Sequence, residues 1–343
     1  MSGGVGASAI IVQQGMVAGP GVAVPVLSLT AREPGPTVAF GANLHGDECT
    51  GIGVVHALIA ELPQRLRRGA VVLYPSLNPK GLEEGTRRLP GDPLDPNRAF
   101  PGTLRGTGAE RHAARIWQDL VGRRLDLYVD LHTDAGGAVP YAIVDRVIAE
   151  ADRGPSLAEM LRIGRRSGPL PLGSRVVQIA EATGFTVLRE YPLSRYQRFE
   201  LDRSLTGALV NTAGIAAFTL EVGPRRWLDP DAVELALGAV RGVLGALGLI
   251  DAPPIVHRSR RTDRLWRRET GPRSTRAGVL VPLLRPGEAF GRGQAISEVR
   301  GLLGERRELL RAPSEGWVVA LPEVGHCTVG VACATLAVPE EEP

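Results

Sequence analysis

Lysine is almost missing from this sequence: Lys80 stands alone among 40 basic side chains, and the rest are arginine. Alongside 43 glycines and 27 prolines, that skew reads as genomic composition rather than selection for anion binding. The net charge of +3 gives no field strong enough to imply nucleic acid or a membrane as partner. Cysteine is scarce as well. Cys49, Cys327 and Cys333 are too few and too unevenly spaced for a disulfide framework, which suits a reducing compartment. Long apolar runs are lacking: nothing approaches the ~18 residues of a membrane span. Residues Met1 to Gly21 show neither the basic start nor the unbroken apolar stretch of a secretory signal. These absences predict a cytoplasmic globular protein, in line with a hydrophobic content of 43%. At 343 residues the chain exceeds one ordinary core, so a main domain and a smaller one are expected.

What is present centres on Gly41-Ala42-Asn43-Leu44-His45-Gly46-Asp47-Glu48, between a predicted strand over Thr37 to Ala42 and a predicted helix over Glu48 to Leu62. A histidine and a glutamate three residues apart, on the turn between a strand and a helix, can aim an imidazole nitrogen and a carboxylate oxygen at one point. A catalytic zinc normally takes three protein ligands. The third candidate is His132, which closes Leu125 to His132, a run alternating in strand fashion through Leu125, Leu127, Val129 and Leu131. Open α/β sheets place ligands outside the carboxyl ends of their strands, where all three residues would fall.

Further strands are expected over Ala9 to Val12, Val22 to Leu29, Ala70 to Leu77, Val139 to Val144 and Ile215 to Val222. The last of these delivers Glu221 near its carboxyl end. Helices are expected over Ala109 to Val121, Leu157 to Arg165, Ser204 to Ala213 and from Pro230, where Asp229 can cap. The first helix should stop near Pro63. From Asn78 to Gly102 the residues favour a long loop, usually a functional feature; Gly168 to Arg203 gives mixed signals. The alternation of strands and helices argues an α/β sheet domain over residues 1–252, followed by a small β-rich domain over 253–343 with a linker at its start. The basic run Arg258 to Arg268 with Trp266 reads as a solvated interdomain strand or linker, because no other nucleic-acid signature accompanies it. Gly287 to Gly293 and Gly316 to Gly330 resemble the two hairpins of a biotinyl-like sandwich. This region lacks a lysine, which excludes a swinging arm and leaves a structural or lid module.

Four motifs in order, HGDE at His45 to Glu48, GTRRLPGDPLDPNRAFPG at Gly85 to Gly102, DLH at Asp130 to His132 and TLEVG at Thr219 to Gly223, carry a resemblance to the succinylglutamate desuccinylase and aspartoacylase family. That resemblance implies a zinc carboxypeptidase-like fold, with a mixed open sheet flanked by helices, a small C-terminal all-β domain and one zinc ion per chain. It implies His45, Glu48 and His132 as metal ligands, Glu221 as general base and Arg87 as stabiliser of the oxyanion, with Arg88 the neighbour it could be confused with. Asn97 and Arg98 would hold a substrate carboxylate, and Asp95 would accept from the other ring nitrogen of His45. Pro96 departs from the family pattern, which has leucine there, and should stiffen the loop without removing a chemical group. The implied activity is deacylation of a small N-acyl substrate bearing a carboxylate. The competing readings are a zinc carboxypeptidase on short peptides and a binding protein on a degenerate scaffold; a homo-oligomer is left open. The remaining histidines, His56, His112, His257 and His326, and Cys49 beside Glu48, are expected to pack or face solvent.

Overall fold

A computed structural model of the chain describes residues 10–19, 22–135, 137–148 and 171–340. The helix expected over Leu157 to Arg165 lies outside the described residues. Two long antiparallel strands, β1 (Ile11–Gly19) and β2 (Val22–Thr30), open the chain. Then come β3 (Glu33–Ala42), helix α1 (Thr50–Arg65), β4 (Arg68–Tyr74), helices α2 (Pro79–Glu84) and α3 (Gly108–Gly122), and β5 (Leu127–His132). Strand β6 (Tyr141–Val144), α4 (Leu172–Glu181), β7 (Thr186–Arg189), α5 (Leu193–Arg198), α6 (Leu205–Ala208), β8 (Ala216–Glu221) and α7 (Pro230–Ala246) complete the main unit.

The sheet is mixed. Strands β4, β3, β5 and β8 run parallel side by side, and β2 on one flank and β6 on the other run antiparallel to their neighbours. From β3 the chain crosses through α1 to β4 on one side, then through α3 to β5 on the other. Beyond the carboxyl ends of β3 and β5 therefore lies a switch point, the place where such sheets bind ligands. Every residue of β5 is buried, as a strand covered on both faces requires. The main core gathers Phe40, Leu58, Leu73, Tyr128, Phe218 and Val240 around these strands, with α1 and α7 packed on each other.

Two local expectations change. Helix α1 begins at Thr50 rather than Glu48, because residues 45–48 are held in a turn by side-chain hydrogen bonds described below. It also continues past Pro63 to Arg65. Pro63 sits exposed in the last turn, where its lost hydrogen bond stops little. The long loop is partly structured: Asn78 caps α2 by accepting from the Gly81 amide (2.9 Å), and Pro96 opens a 3-10 turn, Pro96–Arg98, that Asp95 caps. The fixed φ of proline suits that first position, in keeping with a stiffened loop.

The C-terminal region is less separate than its composition suggests. Strand β9 (Trp266–Thr270) lies parallel to β7, and β16 (Thr335–Pro339), β14 (Gly316–Ala320) and β11 (Ala289–Phe290) extend the same sheet to twelve strands. A second sheet of β10 (Gly278–Pro282), β12 (Ala295–Arg300), β13 (Arg306–Arg311) and β15 (His326–Cys327) has its own core, including Leu280, Phe290, Ile296, Val299 and Leu336. The two glycine-bounded segments expected as separate hairpins pair with each other, Ala289 opposite Trp317. The end of the run Arg258 to Arg268 is a strand, β9, but it is not wholly solvated, being buried at Trp266. Among the described residues no helix is long and apolar enough to cross a membrane.

Candidate metal centre and active site

The turn after β3 is built by Asn43, whose backbone adopts φ 59°, a left-handed conformation that asparagine tolerates better than most residues. Its amide nitrogen lies 3.1, 3.0 and 3.0 Å from the carbonyl oxygens of His45, Gly46 and Glu48. Ser76 donates to its amide oxygen at 2.6 Å. Asn43 thus stitches the HGDE turn from inside, a role that sequence reasoning missed. The turn also presses on α2: a Cβ added at Gly46 would stand 2.1 Å from the carbonyl carbon of Gly81.

This turn brings His45, Glu48 and His132 together, with ligand-type atoms all within 4.8 Å of one another and all three side chains buried. His45 Nδ1 is 2.8 Å from Glu48 Oε1, and His132 Nδ1 is 2.8 Å from Glu48 Oε2. The outer nitrogens are held by carboxylates: His45 Nε2 by Asp95 at 3.1 Å and His132 Nε2 by Asp130 at 2.9 Å. A ring that donates outward from Nε2 turns the Nδ1 lone pair inward, and here both lone pairs would face carboxylate oxygens. Such a donor set is stable only around a cation or extra protons, so the residues fit a divalent metal with nitrogen and oxygen ligands. Burial would raise the Glu48 carboxyl, but the two histidines hold it well below the usual range. Burial opposes charge on His132, yet Asp130 and Glu48 hold its pKa well above the ordinary value. Asp95 meets His45 as expected; Asp130, in the DLH motif, is the partner not foreseen.

Strands β5 and β8 align His132 directly opposite Glu221 in parallel register. The two side chains therefore leave the same face of the sheet side by side. Glu221 Oε2 is buried without a hydrogen-bond partner among the described residues. Burial pushes its pKa up to about 8; His132 opposes the rise, while Asp134 and Glu48 add to it. Arg87 is pinned by Asp95 through Nε (3.2 Å) and Nη2 (3.0 Å), and its Nη1 lies 3.2 Å from Glu48. Asn97 spends its side-chain oxygen on the Leu205 amide (2.8 Å), which leaves its NH2 free to meet an anion. Among the described residues Arg98 donates only to the backbone, to Phe199 O at 2.9 Å and Asn97 O at 2.5 Å.

All of these except Asp95 and Asp130 line one cavity of about 180 Å³. Also lining it are Glu190 and residues that sequence reasoning passed over: Thr133, Asp134, Asp145, Arg225 and Arg268. Arg225 lies two residues beyond the TLEVG motif and donates to Asp134 O at 2.6 Å. Arg268 arrives from β9, where nothing in the basic run set it apart from its exposed neighbours. Of the other histidines, His56 and His326 are exposed, and His112 is buried with Nε2 2.6 Å from Leu77 O. Cys49 precedes α1 and joins no ligand cluster among the described residues.

The model of the succinylglutamate desuccinylase/aspartoacylase catalytic domain matches residues 34–247, more than half of the chain. The chain belongs to this family. Over 136 residues, 38% of each chain, this family member is 32% identical to a protein named N-alpha-acetyl-L-2,4-diaminobutyric acid deacetylase from Halomonas elongata. That match spans well under two thirds of the relative. Solved structures align along nearly the whole desuccinylase/aspartoacylase-family chain and show its fold. An aspartoacylase family protein from Mesorhizobium loti aligns with TM-score 0.74 at 21% identity, covering 98% of this chain and 96% of the other. The product-bound ectoine utilization protein EutE (DoeB) from Ruegeria pomeroyi aligns with TM-score 0.75 at 20% identity, covering 95% of both.

Proposed function

We propose that the chain is a zinc-dependent deacylase that hydrolyses the amide of a small N-acylated amino acid or similar amine bearing a carboxylate. One observation carries this reading: the unpartnered oxygen of Glu221 stands in register beside His132, in the same cavity as the His45, Glu48 and His132 cluster. Bound zinc would supply a Lewis acid for the scissile carbonyl and lower the pKa of water toward ~7. Glu221 takes a proton from the attacking water and returns it to the departing nitrogen, so that amide and water become carboxylate and amine. Arg87, fixed in advance by Asp95, faces the charge that develops on the carbonyl oxygen. Arg98 and the Asn97 amide hold the substrate carboxylate.

The cavity of about 180 Å³ is smaller than pockets for drug-sized ligands, ~300 to 1,000 Å³, and favours small acyl amino acids over peptides of three or more residues. The name of the Halomonas relative, a deacetylase of an acetylated amino acid, points the same way. Glu221→Gln should keep zinc, read by mass spectrometry, while kcat falls ~10²- to 10⁴-fold. Near-normal kcat in the zinc-loaded variant would remove Glu221 as the base. A screen of N-acetyl, N-succinyl and N-formyl amino acids against short peptides tests the class: release of C-terminal residues with no deacylation would make the protein a carboxypeptidase. Failure to bind zinc at all would make it a binding protein.

A further inference from the structure

Among the described residues, the walls of the cavity leave one cation, Arg98, and three carboxylates, Asp134, Asp145 and Glu221, without an ion pair. Arg87 is engaged by Asp95 and Glu48, Arg225 lies 4.0 Å from Glu48 and 3.9 Å from Glu323, and Arg268 meets Glu190 at 3.0 Å. Arg98 has no carboxylate within ion-pair distance among the described residues; its guanidinium touches only carbonyl oxygens. Asp145 is its counterpart. It accepts from the Tyr196 hydroxyl at 2.8 Å and meets no cation among the described residues.

The strand register explains how this came about. Val144 pairs with Arg189 and Arg189 with Arg267, so Asp145, Glu190 and Arg268 occupy adjacent positions just beyond or within β6, β7 and β9. Glu190 stands between the other two and is committed to Arg268. Asp145 therefore has a carboxylate as its strongest charged neighbour, and burial together with Glu190 pushes its pKa up to about 7. Burial likewise lowers the pKa of Arg98, an arginine with no acid bonded to it. Of the other two carboxylates without an ion pair, Asp134 accepts from the Tyr141 hydroxyl at 2.9 Å in the fields of Arg268 and Arg225, and Glu221 is the base proposed above. A further group points to a ligand: Thr133, 2% exposed, lines the same cavity with a hydroxyl that has no hydrogen-bond partner among the described residues.

We infer that Asp145, backed by Glu190, forms a subsite for a second, protonated nitrogen of the substrate, so that the enzyme acts on N-acyl diamino acids. The carboxylate of such a molecule neutralises Arg98 and its free ammonium neutralises Asp145. An amino acid with an apolar side chain would leave Asp145 buried and unpaired, which a closed site penalises strongly. This inference rests on the deacylase reading, but it concerns a different wall of the cavity from the metal ligands and Glu221.

The test compares the zinc-loaded enzyme on N-acetyl-2,4-diaminobutyrate and N-acetylnorvaline, which match in side-chain length and differ in the terminal ammonium. The diamino substrate should be preferred by at least about tenfold in kcat/KM, mainly through KM. Asp145→Asn should collapse that ratio. Isothermal calorimetry supplies a readout apart from turnover: free 2,4-diaminobutyrate should bind the zinc-loaded protein about tenfold or more tighter than norvaline, and the variant should lose the difference. Equal kcat/KM on the two substrates would overturn the subsite and leave the deacylase standing. Preferential binding of the diamino acid without hydrolysis of any acyl substrate would overturn the deacylase and leave the subsite. Equal binding of the two free amino acids would overturn the subsite whether or not the variant folds.

Discussion

Individual side chains in this cavity are held away from their ordinary protonation, and Asp145 allows that to be measured by stability as well as by binding. Its pKa is pushed from about 3.9 in an unfolded chain up to about 7, first by burial and then by Glu190. The folded protein thus binds the proton more tightly than the unfolded chain. The resulting stability is fully present below the unfolded value and is lost as pH rises through about 7. Asp145→Asn removes the titration while keeping an acceptor for Tyr196. Thermal melts of the two proteins should therefore diverge with pH, the variant gaining a few degrees on the parent between pH 5 and pH 8. A constant difference in Tm across that range would show that Asp145 ionises as an exposed carboxylate does.

At the scale of elements, the site depends on how closely a turn and a helix can approach. Gly46 lies against α2, where an added Cβ would come within 2.5 Å of Gly81 Cα and of Leu82 N, atoms of a backbone capped by Asn78 and unable to yield. Overpacking of this kind costs ~1 to 3 kcal/mol. The strain would fall on the residues between His45 and Glu48. Gly46→Ala should accordingly lower Tm and weaken zinc retention together, measured by melting and by metal content after gel filtration. A variant that loses Tm but holds zinc as well as the parent would show that the turn moves as a rigid piece. The same scale explains why His132 and Glu221 are neighbours: two fully or almost fully buried parallel strands have little freedom to slip, since a one-residue shift would send both side chains to the opposite face.

Across the whole molecule, we propose that residues 253–343 form a unit built onto the edge of the main sheet. It shares with the main unit a cluster in which Tyr141, Ile143 and Leu188 pack with Trp266, Trp317 and Val319. The two tryptophans meet edge to face with ring centroids 6.2 Å apart. Shared sheet and shared core predict a single cooperative unfolding transition by calorimetry. Trp317→Ala, at a position 1% exposed, should lower that transition by the ~3 to 5 kcal/mol of a large core truncation without splitting it. Two resolved transitions would show that the C-terminal unit folds on its own.

The sequence by itself determined the α/β class, the turn and strand ends that carry His45, Glu48, His132 and Glu221, and the loop carrying Arg87, Asp95, Asn97 and Arg98. His45, Glu48, His132 and Glu221 are legible because turn chemistry and apolar alternation are local, whereas Arg87, Asp95, Asn97 and Arg98 stand out only through the family resemblance of their motif. The π-helical turn Leu209–Ala213 after α6, the sheet partner of β9 and the charged wall of Asp145, Glu190 and Arg268 were not legible. Asp145 follows an expected strand, Glu190 lies in the stretch of mixed signals and Arg268 in the basic run, and they become neighbours only through the pairing of β6 with β7 and of β7 with β9. A strand's side-chain pattern says which residues share a face, but the partner strand and register are settled by packing across the whole sheet. Tertiary structure therefore decided which charged groups the cavity leaves without an ion pair.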